Sequence, residues 1–262
     1  MFYLTATKKS YKSQIIEKDG SPCKTQCTVI TMIKAIILDL DMTLINSIKR
    51  FYTVFNLTYR KFFKREIPWK VFFEYFKRGM LNDLIPDKER LRDFWNAFKR
   101  GYLEAPIHPD DKLYPGAKEA LAWLKERGYK IIVTTGREVP PEIIWKELEY
   151  FGISKYVDDV FTIALQDPDD EDILFMKTGM LKLILSKYNF KPHEVLFVGD
   201  YWVDMESCKR LGIIAIGVLT GYESREKLIK HGASFVINSI ADLPYIVSKI
   251  IKTYKIRHNT HY

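Results

Sequence analysis

An apolar run of strand length, Ala35-Ile36-Ile37-Leu38, ends in two carboxylates one residue apart, Asp39 and Asp41, with Thr43 at the next alternate position. Unbroken aliphatic and β-branched character marks a strand covered on both faces. From Ser47 to about Leu113 the period changes from strand to helix. Phe51, Val54, Phe55, Tyr59, Phe62 and Phe63 fall at i, i+3, i+4, i+8, i+11 and i+12, which predicts a helix with one aromatic face and Lys and Arg on the other. Pro68 breaks the pattern, and a second aromatic helix is expected over 69–77, a loop over 79–86, and a third helix capped by Asp87 and carrying Leu91, Phe94, Trp95 and Phe98. One apolar face per helix is what a small bundle must bury, so the aromatic stripes read as a packed interior rather than a ligand cage.

After Tyr114–Gly116 helix and strand alternate to the end of the chain. Helices are expected over 117–127 (closed by Gly128), 141–151 (closed by Gly152), 179–188, 203–211, 224–230 and 240–252, and strands over 130–134, 160–164, 195–198, 213–218 and 235–237. Such alternation implies an α/β fold: a doubly wound, Rossmann-like parallel sheet with right-handed crossovers and helices on both faces. The helical segment 47–113 splits the first strand from the rest, so 32–46 and 114–262 are expected to form one domain around an inserted helical unit. Residues 1–31 show no sustained period and read as a loosely attached extension; Met32 can be the natural start, and 28–32 can alternatively add an edge strand.

Composition narrows the class. With 47% hydrophobic and 28% charged residues, the chain matches a soluble globular protein, and no run approaches the roughly 20 apolar residues of a membrane span. The lysines of the first 30 residues flank no continuous apolar centre, so no secretory signal is read and a cytoplasmic location is expected. The net charge of +8 is spread along the chain with no basic block beside an aromatic platform, which favours attraction for anionic small molecules over a nucleic-acid partner. Cys23, Cys27 and Cys208 are an odd set without the second pair of a zinc site, and free thiols are expected.

In an open parallel sheet, ligands bind outside the carboxyl ends of the strands, so polar residues there are candidates for chemistry. Asp39 and Asp41 end the first strand. Thr134, Thr135 and Gly136 end the second, offering a hydroxyl and a backbone free to approach a phosphate oxygen. Gly199 and Asp200 end a later one, with Asp204 at the start of the next helix, and Lys177 precedes another helix. Oxygen ligands suit Mg²⁺, and a lysine and a hydroxyl suit a phosphoryl group. Each residue also has an ordinary reading: an Asx-turn at Asp39 and Asp41, helix-start acids at Asp200 and Asp204, strand-end threonines, a solvated lysine. Their joint occurrence at successive strand ends favours the chemical reading.

In these stretches the chain resembles the haloacid dehalogenase-like hydrolase superfamily, and within it the phosphoglycolate phosphatase-like phosphatases. Asp39-Leu40-Asp41-Met42-Thr43 matches the first motif, DxDxT, with Met42 where Gly is usual. Thr135-Gly136 matches the second, Lys177 the third, and Gly199-Asp200 with Asp204 the fourth. The doubled threonine leaves Thr134 as the alternative to Thr135. The resemblance implies that Asp39 is the nucleophile and Asp41 the general acid and base. It implies that Thr135, the Gly136 amide and Lys177 hold the phosphoryl group, and that Mg²⁺ is bound by Asp39, the Asp41 backbone carbonyl, Asp200 and Asp204. It also implies that 47–113 is a cap over the site and that the substrate is a small phosphorylated metabolite. Arg78 and Asn82, around the loop 79–83, are a candidate specificity element, with an ordinary helix connection as the alternative. Sugar phosphomutases of the β-phosphoglucomutase type keep an acid at the position of Asp41, so phosphoryl transfer between sugar hydroxyls stays open, as does a noncatalytic binding protein on the same fold.

Overall fold

The computed structural model describes residues 33–259; the expected extension over 1–31, the alternative edge strand over 28–32, and Met32 lie outside these residues. Six strands form one parallel sheet: β1 (Ala35–Asp39), β4 (Lys130–Thr135), β5 (Asp159–Thr162), β6 (Val195–Gly199), β7 (Ile214–Val218) and β8 (Ala233–Ile237). Their order is β5-β4-β1-β6-β7-β8. β1 is paired on both edges, with Ile36 opposite Ile131 on one side and Leu196 on the other, and all five of its residues are buried. This is the environment its unbroken apolar run demands.

Alternate residues of β1 serve the two faces. Ile36 and Leu38 join the core that includes α4 (Ala117–Glu126), α5 (Pro141–Tyr150) and α9 (Leu243–Asn259). Ala35 and Ile37 join the core that includes α6 (Thr178–Tyr188), α7 (Trp202–Leu211) and α8 (Arg225–Lys230). The chain runs outward from β1 through β4 to β5, then returns to the other side of β1 as β6. The crevice at that reversal, beyond the ends of β1 and β6, is where an α/β sheet presents a ligand site.

A two-stranded antiparallel ladder, β2 (Ile45–Asn46) with β3 (Lys112–Leu113), joins the chain leaving the sheet to the chain returning to it. Between them lie α1 (Ile48–Phe63), α2 (Trp69–Lys77) and α3 (Leu91–Gly101). Their stripes pack as expected: Phe55 lies 5.3 Å from Phe72 and 5.2 Å from Phe94, ring centre to ring centre, and all three are fully buried. Two expectations fail here. Arg50 lies on the buried side of α1, at 1% exposure, because two acids discussed below, Asp111 and Glu147, pair with it there. Asp87 does not cap α3, which starts one turn later after Arg90; its carboxylate instead accepts the Glu89 N–H at 3.1 Å, an Asx-type turn. Element ends shift elsewhere: the strand expected over 160–164 gives way after Thr162 to a 3-10 turn, and the helix expected over 240–252 opens with a 3-10 turn, becomes α-helical at Leu243 and runs on to Asn259. No helix among the described residues is long and apolar enough to cross a membrane.

Candidate active site

Asp39 is the last residue of β1, Asp200 follows β6 directly, and Asp204 lies in the first turn of α7. The three are buried, and each places a carboxylate oxygen within 4.8 Å of the others'. Lys177, at the N-cap of α6, sends its ammonium into the group, bonding Asp39 Oδ1 and lying 2.8 Å from Asp204 Oδ1. Thr43 donates its hydroxyl to Asp200 Oδ1 at 3.0 Å. The backbone fits around these acids: a Cβ on Gly221 would lie 1.8 Å from Asp200 Oδ2, so that position must be glycine while the acid is there.

Three buried carboxylates share one ammonium. Burial raises the Asp39 pKa, and Asp204 and Asp41 add to the rise against the opposing charge of Lys177. Asp200 is raised in the same way, by burial and then by Asp39 and Asp204. Lys177 is the reverse: burial works against its charge, but Asp204 and Asp39 hold it protonated. A group of buried acids that resist ionising together is a donor set for a hard cation, which supplies the missing positive charge.

Asp41 is turned out of this group. It is gripped by the Arg137 guanidinium, with Nε donating at 2.9 Å to Oδ2 and the second contact made at Oδ1. Ser47 donates to its Oδ1 at 2.5 Å and Thr135 to its Oδ2 at 3.1 Å. Burial pushes the Asp41 pKa up, but the Arg137 charge and hydrogen bonds, with Arg50 and Ser47, outweigh it and hold the carboxyl at about 2. The chain of charges continues: Arg137 donates to Glu147 Oε1 at 2.7 Å, Arg50 clasps both Glu147 oxygens at 2.7 and 2.8 Å, and Arg50 Nε lies 2.9 Å from Asp111 Oδ2. The Tyr102 ring lies over the guanidinium, 4.8 Å from the Arg137 Cζ. This network ties α1 to α5 directly behind Asp41.

Sequence reasoning missed Arg137, Arg50, Glu147 and Asp111. Arg137 follows Thr135-Gly136 immediately, and a cation there was open to notice; Arg50 stands four residues before Val54 on the apolar side of its helix, a polar residue at a core spacing. The structure separates the two threonines. Thr134 donates to the Leu38 carbonyl at 3.3 Å, inside the sheet, whereas Thr135 faces Asp41 and accepts the Arg137 N–H at 3.2 Å. The odd residue of the first motif is also accounted for. Met42 has φ of 60°, the left-handed region that glycine enters freely, and its carbonyl accepts the Thr220 hydroxyl at 2.5 Å.

A cavity of about 310 Å³ opens over these groups, and Asp39, Asp41, Gly136, Lys177, Asp200 and Asp204 all line it. Thr135 is fully buried behind Asp41 and is absent from the lining. From the helical insert come Phe51, Phe76, Trp95 and Phe98, with Gly79, Leu81 and Asn82 of the loop. Of the candidate specificity pair, Asn82 reaches the cavity and Arg78 does not; the Asn82 side-chain Oδ1 accepts the Trp95 indole N–H at 2.8 Å.

Residues 36–218 match the family model described as haloacid dehalogenase-like hydrolase. A phosphoglycolate phosphatase of Nitrosospira multiformis is 24% identical over 83% of this chain and 96% of its own length. The pyrophosphatase PpaX of Listeria monocytogenes is 25% identical over 82% of this chain and 96% of its own. Among solved structures, a predicted phosphatase from Clostridium acetobutylicum superposes with a TM-score of 0.66 at 21% identity, covering 83% of this chain and 99% of that one, a likeness of fold.

Proposed function

Since this chain belongs to the haloacid dehalogenase-like hydrolases, we propose that it is a Mg²⁺-dependent phosphatase acting on a monoester of a small phosphorylated metabolite through an aspartyl-phosphate. The observation that carries the reading is the convergence of Asp39, Asp200, Asp204 and Lys177 in one buried group at the ends of β1 and β6. In this reading 32–46 and 114–262 are the catalytic core and 47–113 is a cap, with 1–31 an extension.

Asp39, Asp200 and Asp204 would hold the Mg²⁺ with the Asp41 carbonyl; when bound, the ion balances the acids and lowers the repulsion between Asp39 and an anionic ester. Asp39 attacks phosphorus as the bond to the leaving oxygen breaks, and Asp41 protonates that oxygen to release the alcohol. Water then attacks the aspartyl-phosphate, Asp41 takes its proton, and phosphate leaves with Asp39 restored. Lys177 and the Gly136 amide neutralise and orient the phosphoryl oxygens, while Thr135 steadies Asp41 from behind. Arg137 holds Asp41 as a carboxylate, the form that accepts a proton. To act as the acid, Asp41 must leave that grip and take up a proton from solvent before the ester bond breaks.

A phosphate-release screen over phosphoglycolate, sugar phosphates and nucleotides tests this. Release that needs Mg²⁺ and stops with a chelator is expected; no release from any ester with metal present would overturn the reading, and isomerised sugar phosphate without free phosphate would replace it with a mutase. Metal binding is readable without activity. Saturating Mg²⁺ is expected to raise the Tm by about 5–10 °C, from roughly 2.7 kcal/mol at 100 times Kd. Asp200→Asn is expected to remove that gain while leaving the metal-free Tm equal or higher, since one disfavoured buried charge is gone.

A further inference from the structure

Five non-glycine residues among those described have positive φ. Lys64 and Asn189 are helix C-caps, where a left-handed residue satisfies the last carbonyls. The other three, Met42, Phe175 and Tyr222, at φ of 60°, 66° and 71°, all line the cavity, Tyr222 also closing a 3-10 turn over Leu219–Gly221. Backbone in this region is costly for a side chain larger than glycine, and at Met42 and Phe175 that cost falls on the cavity wall outside any helix cap. The Phe175 ring stands edge-on to Trp95, 5.9 Å away. Tyr222, 39% exposed, stands edge-on to Phe73 at 5.3 Å and Phe76 at 6.0 Å. Rings from the insert and from the sheet domain thus face one space.

Each cation of the lining already has an acid partner. Lys77 pairs with Glu74 at 2.7 Å, Lys99 with Glu171 at 2.6 Å, Arg137 with Asp41 and Glu147, and Lys177 with Asp39 and Asp204. A carboxylate on the substrate would find no cation among these without displacing an acid already in place. A planar apolar group would find ring faces and edges on several sides.

We infer that the alcohol portion of the substrate carries an aromatic ring, seated against the cavity-lining rings Phe76, Phe175 and Tyr222, rather than a carboxylate or a polyol. The inference rests on the phosphatase reading for its chemistry, and on the cavity walls alone for its specificity. The test compares phosphate esters of primary alcohols with matched leaving oxygens: 3-phenylpropyl phosphate, propyl phosphate and phosphoglycolate. The phenyl ester is expected to show kcat/KM on the order of 10- to 100-fold above the other two, mostly through KM. Phe76→Ala, or the more exposed Tyr222→Ala should the first fail to fold, is expected to shrink that ratio several-fold. Equal or better turnover of propyl phosphate or phosphoglycolate overturns the inference and leaves the phosphatase reading standing. Binding keeps the two separate should no ester be turned over: 3-phenylpropylphosphonate is expected to bind at least tenfold more tightly than propylphosphonate, read by the change in intrinsic tryptophan fluorescence, to which Trp95 and Trp202 of the lining contribute. Equal affinities overturn it.

Discussion

Asp39→Asn is expected to lower turnover by at least about 10⁴-fold, because the amide keeps the shape of the carboxylate and loses the nucleophile proposed here. The fold should survive. Asp39 is buried among acids that disfavour its ionisation, so a neutral side chain costs the metal-free protein little, and Lys177 retains Asp204 as a partner. The Tm should stay within a few degrees of wild type. Mass spectrometry of protein quenched during turnover should show the phosphorylated species in wild type and none in the variant. A folded variant with near wild-type phosphate release would remove Asp39 from the chemistry.

Arg50→Ala is expected to have the largest effect on stability. Arg50 is nearly inaccessible, and its loss leaves Asp111 without its cation and leaves Glu147 to Arg137 alone. Removing one member of a buried ion network costs about 3–5 kcal/mol, since the charge left behind has neither water nor partner. For a chain of this size that corresponds to a Tm lower by roughly 6–20 °C. A double-mutant cycle with Glu147→Ala should give a coupling of at least about 1 kcal/mol. Additive effects would show that the two side chains, though in bidentate contact, act independently. Because Arg137 shares Glu147 and grips Asp41, the variant should also disturb the resting position of Asp41.

The sheet and the acids were legible for the same reason. An aliphatic strand buried on both faces leaves a strong pattern, and a carboxylate at its end breaks that pattern, so Asp39 stood out as both fold and chemistry. Lys177 was legible only by its order among the strand-end groups, since a lysine before a helix is commonplace. Arg50 was hidden by composition: in a chain with 41 lysines and arginines, one more on a basic helix carries no signal, and only its partners, 61 and 97 residues away in sequence, make it a core residue. The orientation of Asp41 was hidden because it depends on a contact with Arg137 across the end of β4. Met42 was visible as a departure, but its meaning lies in a backbone angle. Asp87 misled because an acid able to cap can equally close a turn one step earlier.

The ladder of β2 with β3 has a consequence for how the molecule can be remade. Asn46 and Lys112 are direct partners across that ladder, so the insert begins and ends at neighbouring points. A short hairpin turn could join them without moving a sheet strand or any of the clustered acids, and Glu147 would still hold Arg137. The insert is thus a removable piece of chain, and another insert grafted at these two residues would change the wall it lends to the cavity while leaving the clustered acids and the rings Phe175 and Tyr222 in place.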